Sequence, residues 1–523
     1  MEVDTLKIVA TAAVGAASCW GLVPWILRVA RQAGRMEQAE EFHHTHTGPV
    51  PRLGGLGLAA AFVLVAIAAT WLSPAGQPPT QVRWTLVLGS LGMFGLGFWD
   101  DLRRVGAKTK LLVQIGLAVA VYCGGVQIEL LKNPLTGTTY PLGSLSLVVT
   151  VFWLVALTNL INLIDGMDGL AAGISLMLMC LLANVGLGVG CRFTTLLAVG
   201  VGGALLGFLR YNFPPAKIFL GDGGAYFLGF LIGQLAIVNS HKGSVAAALI
   251  APVLALGLPI WDAVLAVVRR GLRGLPLFRA DRQHVHHWLL AHGWSRRRAL
   301  WVLYGLSVCC LVPAFAAFWL QGRLIPLLCG CVAVVFIVAG HALGWSKMWS
   351  LPRLAAPSPL QWRRETRYAL TLAQWLEMEA ERRECLFELW QDLQFVAKKL
   401  GFSELTLCLA GVKQVWRAAT IQTDLGQLHR VQHRLSTGTL EFAAHEQVLP
   451  APLFELLAEL AAEGWQRAAR RWQHVHAAPL RFDAVSSETS LFRRLGRRYE
   501  PVQQAWWIPK RQLQPQPTER AAA

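Results

Sequence analysis

Long apolar stretches recur along the first 345 residues, and short polar segments separate each stretch from the next. Because a helix needs about 20 mostly apolar residues to cross a bilayer, the pattern predicts about eleven membrane-spanning helices. Their approximate centres are Ala17, Ala61, Met93, Leu117, Leu154, Met179, Val199, Gly229, Val253, Ser307 and Val332. A polar segment without a small-residue cleavage site follows the first stretch, so this helix is predicted to be retained.

The pattern changes beyond Trp349. Segment 351–359 contains three prolines, and charged residues are then interleaved with apolar ones. The periodicities predict helices over 362–400 and 452–472, and strands over 405–410, 415–420, 429–435 and 439–445.

The predicted fold class is an all-α polytopic membrane protein with a small C-terminal cytoplasmic α+β domain. The expected divisions are a membrane domain (1–345), a linker (346–360), the α+β domain, whose role the sequence does not indicate (361–512), and a disordered tail (513–523).

Composition and charge support this picture. Of 523 residues, 54% are hydrophobic and only 15% are charged, which is too apolar for a soluble protein of this size. The net charge of +17 comes largely from Lys and Arg in alternate loops, a distribution that indicates the orientation of the chain in the membrane. No nucleic-acid partner is therefore expected from the charge. The positive-inside rule places the basic loops and the C-terminus in the cytoplasm. The ten cysteines lie mostly within spans and lack zinc-site spacing, so packing is their expected role.

Polar residues with chemical potential are confined to the ends of spans that carry the basic loops. The first motif is Asp100-Asp101, followed by Lys108 and Lys110. Adjacent carboxylates can share a metal ion or leave one group poised to take a proton. The alternative is a solvated helix end whose acids offset nearby arginines.

The second motif contains Asn159, Asn162, Asp165 and Asp168, each three residues after the last. This spacing places them along one side of a helix or an opened turn, where ionisable groups are costly unless they are paired or functional. A helix cap is the structural alternative. The third motif is Phe219-Leu220-Gly221-Asp222, whose carboxylate could cap a helix or bind Mg²⁺.

Two further motifs lie in basic loops. Residues 281–287 combine Asp281 and Arg282 with three histidines, a set that suits an anionic diphosphate better than zinc. Residues 46–55 place Arg52 beside a glycine pair at the start of a helix, which is compatible with phosphate contact. A solvated polar loop is the alternative for the first of these two motifs.

In this order, the motifs resemble those of the polyprenyl-phosphate N-acetylhexosamine-1-phosphate transferase family, of the glycosyltransferase 4 type. The resemblance lies in the Asp-Asp pair with a lysine nine residues later, the Asn-x-x-Asn-x-x-Asp-Gly-x-Asp-Gly segment and the Gly-Asp-x-Gly segment. The Asp-Arg-x-His-x-His-His loop is most similar to that of the bacterial undecaprenyl-phosphate GlcNAc-1-phosphate transferases.

The resemblance implies a role for each matching residue. Asp222 would ligate Mg²⁺, or alternatively Mn²⁺, with Asn162 as a second ligand. Asp168 would hydrogen-bond the uracil and Phe219 would stack on it. Asn159 and Asp165 are the other expected nucleotide contacts. The expected phosphate and sugar contacts are Lys110, Arg52, Arg282, His286 and His287. The expected catalytic residues are Asp100, Asp101, Asp222 and His284.

The implied reaction transfers N-acetylhexosamine 1-phosphate, with GlcNAc 1-phosphate as the default, from a UDP-sugar to undecaprenyl or another polyprenyl phosphate. It would release UMP and initiate cell-envelope glycan synthesis at the cytoplasmic face of a bacterial inner membrane. The alternatives are a phospho-MurNAc-pentapeptide transferase and, in another class, a lipid-linked transporter or flippase. A transporter needs polar groups through the bilayer midplane, whereas these cluster at one face. A homodimer, and recruitment of downstream glycosyltransferases by the C-terminal domain, are further expectations.

Overall fold

The structure is a computed structural model that describes eleven parts of the chain. They are residues 5–32, 50–74, 78–103, 105–132, 138–240, 245–276, 285–320, 324–342, 358–418, 428–435 and 438–482. The chain divides into two compact units, of which the first comprises residues 1–371 with 449–457 and the second comprises 372–448 with 458–523. The linker and tail boundaries drawn from the sequence stay predictions.

The first unit is built from helices. They are α1 (Thr5–Gln32), α2 (Gly54–Leu72), α3 (Thr80–Leu102), α4 (Ala107–Cys123), α5 (Leu145–Ile164), α6 (Leu170–Gly188), α7 (Arg192–Asn212), α8 (Gly221–Ser240), α9 (Val245–Ala255), α10 (Gly257–Arg273), α11 (Val285–Ala291), α12 (Arg296–Trp319) and α13 (Ile325–Ala342). An antiparallel pair, β1 (Leu130–Lys132) and β2 (Thr139–Pro141), lies between α4 and α5.

Within the described residues, nine of these helices are long and apolar enough to cross a membrane, so the chain is an integral membrane protein. Nine of the eleven predicted centres fall in those helices. The remaining two, Leu117 and Val253, fall in α4 and α9, which have 17 and 11 residues and are shorter than a typical span. The polytopic architecture is therefore confirmed, and the count of eleven stays a prediction.

Helix α8 lies at the centre of the first unit and packs against α2, α3, α5 and α6. Every residue of α8 is buried except Asp222. Its buried polar residues have partners on neighbouring helices, since Gln234 donates to Ser90 Oγ of α3 at 2.8 Å and Asn239 accepts from Thr194 Oγ1 of α7 at 2.6 Å. The single less buried residue of the central helix is thus the carboxylate of the Gly-Asp-x-Gly motif.

Helices α1 and α7 approach each other closely through small residues. A Cβ atom on Gly203 would overlap the carbonyl oxygen of Ala12 in α1. The adjacent Gly202 has room, since the nearest atom to its Cβ position would be a side-chain carbon of Leu176 at 3.6 Å. Small residues at such crossings let membrane helices pack backbone to backbone.

The second unit contains a four-stranded antiparallel sheet in the order β4-β3-β6-β5. Its strands are β3 (Glu404–Leu409), β4 (Val412–Arg417), β5 (Leu428–Leu435) and β6 (Gly438–His445). Helix α14 (Pro359–Glu379), α15 (Leu386–Lys399) and α16 (Ala451–His476) complete the C-terminal elements, and the boundary between the units falls within α14 and α16. One sheet face is buried through Leu405, Leu407, Leu440 and Phe442, whereas the alternating residues Thr406 and Glu441 are partly exposed.

The prediction of one continuous helix over residues 362–400 is wrong, because the chain turns between α14 and α15. No glycine or proline marks this turn in the sequence. A bidentate ion pair stabilises it, in which Arg383 donates to the two carboxylate oxygens of Asp392 at 2.6 and 2.9 Å. The indole of Trp472 also donates to the carbonyl of Arg383 at 3.0 Å. These are tertiary contacts, so helical periodicity alone did not reveal the break.

The α1–α7 crossing gives a test with an internal control. We expect Gly203→Ala to destabilise the protein by about 1–3 kcal/mol, because the added methyl group must push α1 away. Gly202→Ala should be close to neutral. Thermal unfolding of both purified variants in one detergent checks this, and equal melting temperatures would contradict the close packing.

Candidate active site

The amino-terminal end of α8 is capped by a residue from another helix. Asp101, at the end of α3, accepts hydrogen bonds from the backbone N–H groups of Asp222 (2.9 Å) and Gly223 (2.8 Å). The first N–H groups of a helix have no partner within the helix, and the positive end of its dipole favours a carboxylate. Both oxygens of Asp101 are therefore engaged in fixing the position of Asp222.

Close backbone approach makes this cap possible. Gly221 has a φ of +76°, and a Cβ atom there would lie 2.7 Å from the Asp101 carboxylate and 2.8 Å from the carbonyl oxygen of Arg52. The segment before α2 lies along the segment before α8, because Phe219 N–H donates to the carbonyl of Pro51 at 3.0 Å and Gly54 N–H donates to that of Phe219 at 2.9 Å. The Arg52 motif and the Asp222 motif are thus joined by backbone hydrogen bonds.

Lys110 joins the two other carboxylates of the site. Its ammonium group forms an ion pair with Asp100 and lies 3.4 Å from Asp222 Oδ2. Asp100 also accepts a hydrogen bond from Val105 N–H at 2.7 Å. The lysine that follows the Asp-Asp pair by nine residues therefore reduces the repulsion between Asp100 and Asp222.

The second motif begins on α5 and continues into the turn after it. Asn162, in the last turn of α5, donates from Nδ2 to Asp222 Oδ1 at 3.0 Å. Asp165 follows the end of α5, and burial together with the negative charges of Asp222 and Asp101 raises the pKa of its carboxyl group. Asn162 thus contacts Asp222 directly, and the charges of Asp222 and Asp101 act on Asp165.

Asp168 is a buried carboxylate with partners on two other segments of the chain. It is only 7% exposed, accepts a hydrogen bond from Ala216 N–H at 3.0 Å, and lies 3.6 Å from Arg296. It therefore connects the turn after α5 to the loop that leads to Phe219. The sequence analysis did not single out Arg296, and nothing in its spacing indicated this partner.

Gln114 is a site residue that the sequence analysis missed. It follows Lys110 by four residues on α4 and accepts a hydrogen bond from Asn159 Nδ2 at 2.8 Å. Its signal in the sequence is modest, since it is the one amide in the apolar run from Leu111 to Ala120.

The histidine loop cannot be placed against these residues. Arg282 and His284 lie outside the described residues, and the side chains of His286 and His287, in α11, lie outside them too. Among the residues described, no group of three or more His, Cys, Asp or Glu side chains is arranged to hold a metal ion. Asp100, Asp101 and Asn162 come together around Asp222, either by direct contact or through Lys110, and all four carry side-chain oxygen atoms.

Comparisons with known proteins give consistent findings. The model of glycosyl transferase family 4 matches residues 83–240. The chain is 33% identical over 324 residues to a probable undecaprenyl-phosphate N-acetylglucosaminyl 1-phosphate transferase of Bacillus subtilis, covering 61% of this chain and 88% of the relative.

Two other relatives have related names. A decaprenyl-phosphate N-acetylglucosaminephosphotransferase of Mycolicibacterium smegmatis is 32% identical over 54% of this chain and 74% of its own length. A phospho-N-acetylmuramoyl-pentapeptide-transferase of Moorella thermoacetica is 30% identical over 53% of this chain and 86% of its own length.

The cap at α8 predicts a graded effect of substitution at Asp101. Asp101→Ala leaves two buried N–H groups without their partner and should lower stability by about 1–2 kcal/mol. Asp101→Asn keeps one accepting oxygen and should lose less. Thermal unfolding measures the order, and an alanine variant as stable as the parent protein would contradict the capping role.

Proposed function

Because the chain belongs to glycosyl transferase family 4, we propose that it transfers N-acetylhexosamine 1-phosphate from a UDP-sugar to a polyprenyl phosphate and releases UMP. The family resemblance drawn from the motifs, and the assignment of the chain as a transferase, are confirmed by the comparisons. The relatives' names support the lipid acceptor and the N-acetylhexosamine.

The observation that carries the proposal is the meeting of Asp100, Lys110 and Asp222 at the end of a membrane bundle. Transfer of a phosphoryl group between two phosphates brings several negative charges together. Fixed cationic donors reduce that repulsion, and a carboxylate can take a proton from the attacking group. The cluster of Asp100, Lys110 and Asp222 contains both a cationic donor and carboxylates.

A magnesium ion fits the oxygen donors of the cluster. Mg²⁺ in such sites is usually held by one or two carboxylates together with substrate phosphates, so a complete set of protein ligands is not required. Asp222 offers a carboxylate, and Asn162, which donates through Nδ2 to Asp222, has its amide oxygen left to act as a ligand. When bound, the ion would neutralise charge on the diphosphate. Mn²⁺ is the alternative ion.

The proposed reaction is a direct displacement. An oxygen of the polyprenyl phosphate attacks the β-phosphorus of the UDP-sugar, a new P–O bond forms, and the bond from the β-phosphorus to the bridging oxygen breaks. UMP leaves with the electron pair of that bond. Asp100 accepts the proton of the attacking phosphate when that oxygen is protonated, and Asp101 keeps Asp222 in place. A covalent phospho-sugar intermediate on an aspartate is the alternative.

The other predicted contacts are parts of the same proposal. Asp168 and Phe219 are proposed to bind the uracil, with Asp165 beside them. Arg52 and the loop that carries Arg282, His284, His286 and His287 are proposed to bind the phosphates and the sugar. GlcNAc is the proposed sugar, because two relatives are named for it, and the MurNAc-pentapeptide donor is the alternative.

The proposed orientation places the active site and the C-terminus in the cytoplasm, on the inner membrane of a bacterium. This follows from the excess of Lys and Arg in alternate loops. A homodimer and a recruiting role for the C-terminal unit stay predictions.

The reaction itself is tested with purified protein, polyprenyl phosphate, Mg²⁺ and a panel of UDP-sugars that includes UDP-GlcNAc and UDP-MurNAc-pentapeptide. We expect UMP release with UDP-GlcNAc, and its loss when the cation is chelated. Asp222→Ala should lower kcat at least about a hundredfold, as expected when electrostatic stabilisation of the transition state is lost. A folded protein that releases no UMP with any donor would disprove the assignment.

The bridging role of Lys110 has a matched control on the same helix. Lys110→Met leaves Asp100 and Asp222 without the cation between them, and we expect kcat/KM to fall about a hundredfold or more. Lys108 is exposed and takes no part in the cluster, so Lys108→Met should stay within about threefold of the parent enzyme. Equal effects of the two substitutions would indicate a general charge effect instead.

A further inference from the structure

Asn159 is a polar residue in an unusual place. It lies five residues before the end of α5, a helix apolar enough to cross a membrane, and its side chain is exposed. Both helices also carry exposed apolar residues, including Phe152 on α5 and Leu112 on α4. An amide that faces lipid is costly unless a polar group reaches it.

Gln114 controls which atoms of Asn159 can bind a ligand. Asn159 Nδ2 donates to the carbonyl of Val155 at 2.8 Å and to Gln114 Oε1 at 2.8 Å, so both of its hydrogens are used. The carbonyl of Val155 can only accept, so it identifies Nδ2 as the donor atom, and Gln114 Oε1 holds the Asn159 amide by accepting the second hydrogen. Its oxygen, Oδ1, remains for an incoming group that carries a hydrogen.

Packing alone does not account for Gln114. The side chain is 1% exposed, and its Nε2 has no hydrogen-bond partner among the described residues. A buried donor without a partner destabilises the folded protein, and an apolar side chain of the same size would avoid this. Its interaction with Asn159 offers a reason for the amide at this position.

The position of Asn159 favours the acceptor over the donor. Asn162 and Asp222 lie on one side of it along α5, and Asp165 and Asp168 lie further in the same direction. In a direct displacement the attacking and leaving oxygens are roughly in line, so the acceptor approaches from the side opposite to UMP. If UMP occupies the Asp168 side, the acceptor phosphate lies toward Asn159, where the bilayer supplies it.

We propose that Gln114 is a positioning residue for the acceptor lipid: it holds the amide of Asn159 so that Oδ1 accepts a hydrogen bond from the protonated oxygen of the polyprenyl phosphate. This rests on the proposed function and replaces the nucleotide contact that the sequence predicted for Asn159. Lys110, one helical turn away on α4, remains the cation of the cluster.

The test compares Gln114→Met, Asn159→Ala and the double variant in steady-state kinetics. Each single substitution should raise KM for polyprenyl phosphate about tenfold, with kcat and KM for UDP-GlcNAc within about twofold. The double variant should be no worse than either single one, because both remove the same interaction. Gln114→Glu, which keeps the accepting oxygen, should restore part of the affinity.

A buried glutamine away from the site serves as the control. Gln234 in α8 is fully buried and donates to Ser90 Oγ at 2.8 Å. Gln234→Met removes a similar buried amide and should leave both KM values unchanged. A rise in KM for UDP-GlcNAc alone would assign Asn159 to the donor site. Additive effects, or equal changes in both KM values, would show that Gln114 does not act through Asn159.

Direct binding separates this inference from the proposed function. Binding of a short-chain polyprenyl phosphate to the detergent-solubilised full chain, without donor, should weaken about tenfold in Gln114→Met. If the parent protein binds this lipid but releases no UMP, the proposed function fails and the variant still decides the inference. If the parent protein does not bind the lipid, both fail.

Discussion

The geometry of the candidate site depends on which group accepts hydrogen bonds from the first backbone N–H groups of α8. This helix is buried along its whole length apart from Asp222, so its first N–H groups need partners within the protein. Asp101 supplies them from α3. Because a buried helix end without such partners would be costly, α3 and α8 are held together at the level where Asp100 and Asp222 lie. The capping interaction therefore fixes the relative position of two proposed catalytic groups.

Charge balance around that cap follows from its geometry. Placing Asp100, Asp101 and Asp222 close together generates repulsion that the fold must offset. Lys110 lies between Asp100 and Asp222, and backbone N–H groups of α8 donate hydrogen bonds to Asp101. Phosphates that enter such a site would meet a lysine that already has carboxylate partners.

Different segments of the chain around the cluster correspond to the two proposed substrates. Asp168 ties the turn after α5 to the loop before α8 by accepting a hydrogen bond from Ala216 N–H, and the proposed nucleotide contacts lie on these two segments. Gln114 and Asn159, which we propose for the acceptor, lie on α4 and α5, and both helices carry exposed apolar residues. In the proposed reaction, different segments of the chain would thus bind the two substrates.

The sequence by itself determined the membrane architecture and the motifs that converge, because apolar length and polar spacing are local properties of the chain. It also indicated the Asp-Asp, Asn-rich and Gly-Asp segments as one site. It did not determine which carboxylate caps α8, that Asp168 pairs with Arg296, or that Gln114 holds Asn159. It likewise predicted one helix where Arg383 and Asp392 stabilise a turn. These pairs join residues distant in the chain or lack a local signal, so only tertiary packing decides which donor meets which acceptor.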